Sequence, residues 1–77
     1  MRVLCNGSAY DTEMAKPVAG DDNEWTEAGW LLFQTPRGSY FKVGYGHEGE
    51  ERGFSALDYN HAQELIAKHP VRVAIHP

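Results

Sequence analysis

The apolar positions of this chain fall into short patterned stretches set apart by turn residues. Residues 2 to 5 (Arg-Val-Leu-Cys) run into Asn6-Gly7, a pair that tolerates the positive φ of a type I′ turn, so a tight hairpin is predicted with its return strand near 8 to 10. Asp11 and Thr12 can each offer a side-chain oxygen to the free amides of a first helical turn. Glu13-Met14-Ala15-Lys16 are good helix formers, so a short helix is predicted before Gly20, limited by Pro17. Residues 20 to 28 read as a polar loop. Gly29 to Thr35 (Gly-Trp-Leu-Leu-Phe-Gln-Thr) holds an unbroken apolar run and reads as a central strand covered on both faces. Pro36-Arg37-Gly38 supplies a turn. Ser39 to Tyr45 then alternates, with Phe41, Val43 and Tyr45 on one face and Tyr40 and Lys42 on the other. Residues 46 to 53 read as a charged loop. Asp58 is placed as the N-cap of the clearest helix, with Tyr59, Ala62, Leu65 and Ile66 at helical spacing through about His69. Pro70 ends that helix, and Val71, Val73 and Ile75 alternate as a last strand. The fold class expected is α+β: a small single-domain antiparallel β-sheet of about four to five strands, with one short and one longer helix packed against it.

Size narrows the function. A chain of 77 residues has room for a thin core and is too short for a dinucleotide-binding fold, a (β/α) barrel or a hydrolase sheet. The lone Cys5 cannot form an internal disulfide, and no basic n-region leads into an apolar h-region, so a cytoplasmic location is expected. No run approaches the roughly 18 apolar residues of a membrane span.

Candidate chemistry is sparse. Gly44-Tyr45-Gly46-His47-Glu48-Gly49 has the letters of a dinucleotide fingerprint, but three glutamates follow within residues 48 to 52 and no helix period does. It reads as a glycine-rich loop leaving a hairpin. His47, His61, His69 and His76 lack the paired spacing of a metal site. Cys5, on a strand beside Leu4, reads as a packed thiol rather than a nucleophile. The expectation is a protein with no cofactor, no metal and no catalytic residues.

Charge adds the one feature that stands out. Seven Lys and Arg face eleven Asp and Glu, a net charge of −4, which argues against direct nucleic-acid binding. Asp21, Asp22, Glu24 and Glu27 cluster in one loop around Trp25, and Glu48, Glu50 and Glu51 in a second just after Tyr45, so seven of the eleven acids lie in two segments. Solubilisation is the plain reading. The interleaved aromatics favour a binding surface instead, with carboxylates steering a basic partner and Trp25, Tyr45 and Tyr10 as desolvated anchors.

Asn6-Gly7 followed by Tyr10-Asp11-Thr12-Glu13-Met14-Ala15, then Thr35-Pro36-Arg37-Gly38-Ser39-Tyr40-Phe41, Gly44-Tyr45-Gly46 and the Leu57 to Leu65 helix resembles small phage and mobile-element proteins. Those proteins carry an "NGxxYDTETA" opening and a "T-x-x-G-x-[YF]-F" hairpin. Met14 departs from that opening, which has threonine there. The chain is also similar to small acidic anti-CRISPR proteins, with inhibitors of the type I-C Cascade complex the nearest comparison. The resemblance implies a non-enzymatic, monomeric, stoichiometric inhibitor. It would occupy the basic DNA-binding or PAM-reading surface of a type I surveillance complex and exclude target DNA. Asp21, Asp22, Glu24, Trp25, Glu27, Tyr45, Glu48, Glu50 and Glu51 are the partner-binding residues expected from charge. The alternative is a phage accessory module that binds a host protein or self-associates through a sheet edge.

Overall fold

Asn6 and Gly7 adopt φ angles of 51° and 80°, as a type I′ turn requires, and fold β1 (Arg2–Cys5) onto β2 (Ser8–Asp11) in the register Val3↔Tyr10 and Leu4↔Ala9. The predicted first hairpin is present in the computed structural model, which describes residues 1–20, 29–46 and 49–70.

The short helix predicted after Asp11 is not formed. The Asp11 carbonyl accepts from the N–H groups of Met14 and Ala15 at 3.0 and 3.1 Å, and its carboxylate accepts from the Glu13 N–H at 2.9 Å. After this single turn the chain runs straight into β3 (Lys16–Gly20). Pro17 is the physical reason, since it pushes Lys16 out of the α region and has no N–H to propagate a helix. An edge strand tolerates it. A bulge between Pro17 and Ala19 lets both Val18 and Ala19 reach one cluster of the core.

The central hairpin is present as predicted. β4 (Gly29–Gln34) pairs antiparallel with β5 (Tyr40–Tyr45) from Gly29↔Tyr45 to Gln34↔Tyr40. Their turn is closed by Gly38 at φ 94°, whose N–H donates to the Thr35 carbonyl at 2.9 Å. The charged loop expected over 46 to 53 is shorter than the sequence suggests, because residues 51 to 57 form β6 (Glu51–Leu57). Backbone pairing with β5, through Val43↔Phe54 and Tyr40↔Leu57, defines this strand. One four-stranded antiparallel sheet results, in the order β3-β4-β5-β6, beside the two-stranded β1-β2 sheet.

α1 (Tyr59–Lys68) follows directly, with the Asp58 carboxylate accepting from the His61 N–H at 2.8 Å as the predicted N-cap. At 10 residues it is about 15 Å long and runs back along the sheet. The His69 carbonyl accepts from the Gly20 N–H at 2.9 Å, tying the helix end to β3. The strand expected over 71 to 75 lies outside the described residues. The architecture is α+β, with one helix rather than two among the described residues. No described helix is long and apolar enough to cross a membrane.

The two faces of the large sheet carry two clusters. Ala19, Leu32, Tyr40 and Ala62 are buried under the helix, joined by Trp30, Leu57, Leu65 and Ile66. Phe33, Phe41 and Val43 are buried on the other face, under the β1-β2 hairpin, with Tyr10, Leu31, Tyr45 and Phe54 around them. The alternation read for β5 is therefore correct. Phe41 and Val43 face one way with Tyr45, and Tyr40 faces the other.

Candidate functional site

The topology places the strand ends that flank the two acidic segments at one end of the sheet. The chain leaves β3 at Gly20, which pairs with Leu31, and re-enters β4 at Gly29, which pairs with Tyr45. Tyr45 in turn pairs with Glu51 across the 46 to 50 connection. Residues 21 to 28 and the β5-β6 turn thus spring from neighbouring strand ends, a juxtaposition that sequence spacing alone does not reveal. Asp21, Asp22, Glu24, Trp25, Glu27 and Glu48 lie outside the described residues, so the structure speaks to Tyr45, Glu50 and Glu51.

These three have unequal surroundings. Tyr45 is half-buried in the hairpin-side cluster. Burial, and then the nearby Glu51 charge, raise its phenol above the ordinary value, since both disfavour the phenolate. Glu50 is exposed in the turn, where its carbonyl accepts from the Gly46 N–H at 2.9 Å and its carboxylate lies 3.5 Å from the Arg52 guanidinium. The glycine-rich stretch here is the β5-β6 connection, with the Gly49 N–H donating to the Gly46 carbonyl at 3.1 Å.

Glu51 is a strand residue rather than a loop residue. Its carboxylate meets the Met1 ammonium at 2.9 Å and accepts from the Thr12 hydroxyl at 3.0 Å. The same Thr12 oxygen accepts from the ammonium at 2.9 Å. The hydrogen bond to the ammonium holds Glu51 below the ordinary carboxylate value, helped by Thr12. It raises the amine in return, with Asp11 and Glu13 adding to the effect. Glu51 therefore clasps the first hairpin to β6. Met1 and Thr12, its partners, carry no sequence signal for this role because they lie 50 and 39 residues away.

Tyr10, considered as an anchor, is a packing residue. It is half-buried, with its ring set against Phe41 at 5.5 Å and Phe54 at 5.3 Å. Cys5 is half-buried on β1. His61 is exposed, and the His69 ring stands edge-on to Trp30 at 5.3 Å. Among the described residues no group of three or more His, Cys, Asp or Glu gathers as a metal site.

The class the fold defines is a small α+β protein with a helix on one sheet face and a hairpin on the other. Comparison with protein-family models, curated proteins and solved structures finds no match to the chain.

Proposed function

We propose that this protein is a non-enzymatic inhibitor of the anti-CRISPR kind, which presents acidic segments to the basic DNA-binding surface of a type I surveillance complex. The observation that supports this reading is the shared root of both acidic segments at one end of the sheet, defined by the Gly20↔Leu31, Gly29↔Tyr45 and Tyr45↔Glu51 pairs. Carboxylates can satisfy lysines and arginines that otherwise hold phosphates. Each exposed ion pair contributes only about 0.2–1 kcal/mol, so the acids set encounter rate and orientation while aromatic anchors supply affinity. Purified Cascade mixed with a tenfold excess of the protein is expected to lose target-DNA binding in a gel-shift assay. Unchanged DNA affinity removes the competitor mechanism. Asp21, Asp22, Glu24 and Glu27 changed together to lysine are expected to weaken the inhibition and its salt dependence, and full retained inhibition places the interface elsewhere.

A second reading, pairing of β6 with a strand of another chain, is favoured by a separate observation. The β3 edge carries Pro17 and a bulge, and Ala19 bridges to Pro70. β6 pairs only with β5 among the described strands, and its 53 to 57 stretch, Gly-Phe-Ser-Ala-Leu, has no charge and no proline to discourage pairing. A concentration-dependent dimer mass by sedimentation, lost in Ser55→Pro, supports this alternative. A monomer at all concentrations leaves it without support as self-association.

A further inference from the structure

The end of the sheet opposite the Gly20, Gly29 and Tyr45 strand ends has a different character. Where Lys16 pairs with Gln34 and the β4-β5 turn closes, two adjoining hollows of about 400 and 350 Å³ share Met14, Thr35 and Pro36 as a common wall. Met14 is 67% exposed, an apolar side chain left in water over a concave surface. Lys16 lines the first hollow, and Arg2 and Arg37 line the second.

These three cations are exposed and make no ion pair within the described residues. The other described cations have local compensation. Lys42 sits 4.9 Å over the Trp30 ring, Arg52 reaches Glu50, and Lys68 lies in the last turn of α1, where the helix dipole favours it. The one acid in the hollow wall, Asp11, stands opposite Arg2 in the β1-β2 register and offsets part of that charge, which leaves Arg37 and Lys16 as the cations without an acid in the wall to match them. In a chain of net charge −4, an excess of positive charge is thus gathered around a wall whose apolar part is Met14 and Pro36. Arginine forks match carboxylate and phosphate oxygens, methionine adapts to varied apolar shapes, and concave sites of about 300–1,000 Å³ suit small ligands rather than flat protein surfaces.

We propose that this double hollow is a binding site for a small organic anion, an apolar body bearing a carboxylate or phosphate group. The body lies against Met14 and Pro36, and the charge is held by Arg2, Arg37 and Lys16. The site is at the far end of the sheet from the Gly20, Gly29 and Tyr45 strand ends and does not rest on the inhibitor reading.

Phenyl phosphate serves as the probe, titrated into the isotope-labelled full chain and followed by amide chemical shifts. Saturable shifts centred on Ala9, Met14, Lys16 and Gly38 are expected, with a dissociation constant on the order of 1 mM. Inorganic phosphate and benzyl alcohol, which supply the charge and the apolar body separately, are each expected to bind at least roughly tenfold more weakly. Arg2→Gln combined with Arg37→Gln is expected to weaken phenyl phosphate by a similar factor, while Lys68→Gln, remote from the hollow, leaves it unchanged. Absence of saturation, shifts centred elsewhere, equal binding of benzyl alcohol, or equal weakening by Lys68→Gln each overturns the proposal. Should the double variant lose spectral dispersion, Lys16→Gln alone must still weaken binding measurably, and unchanged affinity there overturns the proposal equally.

Discussion

The helix-covered and hairpin-covered faces of the four-stranded sheet solve the same burial problem with different materials. Under the hairpin the core is aromatic, with Phe33 and Phe41 stacked at 5.2 Å and Phe54 tilted against Phe41 at 5.8 Å. Under the helix it is largely aliphatic, built on Leu32, Ala19 and Ala62. Its tyrosine, Tyr40, is held by polar contacts, since the hydroxyl accepts from Gln34 at 3.2 Å and Gln63 at 3.1 Å. Rings supply area where a thin two-stranded hairpin is the cover. Small residues such as Ala19 and Ala62 let a helix approach closely on the other side. The contrast shows how a chain too short for one thick core manages with two thin ones.

The sharpest way to break this contrast is to hollow out each face. Phe41→Ala removes a side chain that is 0% exposed and is expected to cost about 3–5 kcal/mol, a large part of the total of about 4–12 kcal/mol that a chain of 77 residues has at the usual stability per residue. Urea unfolding followed by circular dichroism measures it. Leu32→Ala, equally buried on the helix side, is expected to cost about 2–5 kcal/mol. A smaller loss than for Phe41→Ala is expected if the aromatic face carries more of the stability. A reversed order would place the dominant core under the helix.

Smaller perturbations sharpen the same comparison. Asp58→Ala removes the N-cap bond to the His61 N–H and is expected to cost about 1 kcal/mol. The loss should appear as faster amide exchange in α1 with little change at Tyr10 or Phe54, and equal change on both faces would mean that they unfold as one unit.

The smallest expected effect belongs to the clasp that holds the hairpin face closed. The Met1 amine is raised above its ordinary 8.0, so its contribution is complete below that pH and is lost as pH rises through the raised value. Glu51 is lowered beneath its ordinary 4.5, so its contribution is present above that pH and is lost as pH falls through the lowered value. Glu51→Gln is expected to remove the acid-side slope and to reduce the alkaline one, leaving the part owed to Asp11 and Glu13. Thermal melts from pH 3 to pH 10, in low and high salt, read both slopes, and an unchanged acid limb would show that Glu51 is not clasped in solution.

Much of this architecture could be read in the sequence because its signals are local. Asn6-Gly7 dictates its own turn, Asp58 caps its own helix, and the alternation of Ser39 to Tyr45 encodes its two faces. Structure departs from the local signals where distant partners decide. Glu13 to Lys16 have helical propensity, yet Pro17 and a place beside β4 make the segment turn and strand. β6 escapes a pattern search because most of it is exposed at a sheet edge, with Phe54 and Leu57 as its only half-buried residues. The candidate surface rests on charge density and on the aromatics interleaved with it. Composition could suggest acidic segments, but only strand register brings their roots together, and only tertiary packing commits Glu51 to the amine.

Trp30 has one more consequence. Its indole meets both the Lys42 ammonium and the His69 ring, next to the junction where α1 is tied to Gly20. The chain has two tryptophans, so Trp25→Phe leaves a single emitter at this junction. Its fluorescence spectrum becomes an optical gauge of helix docking, shifting to the red when the helix end lifts and water reaches the ring, before the rest of the sheet has come apart.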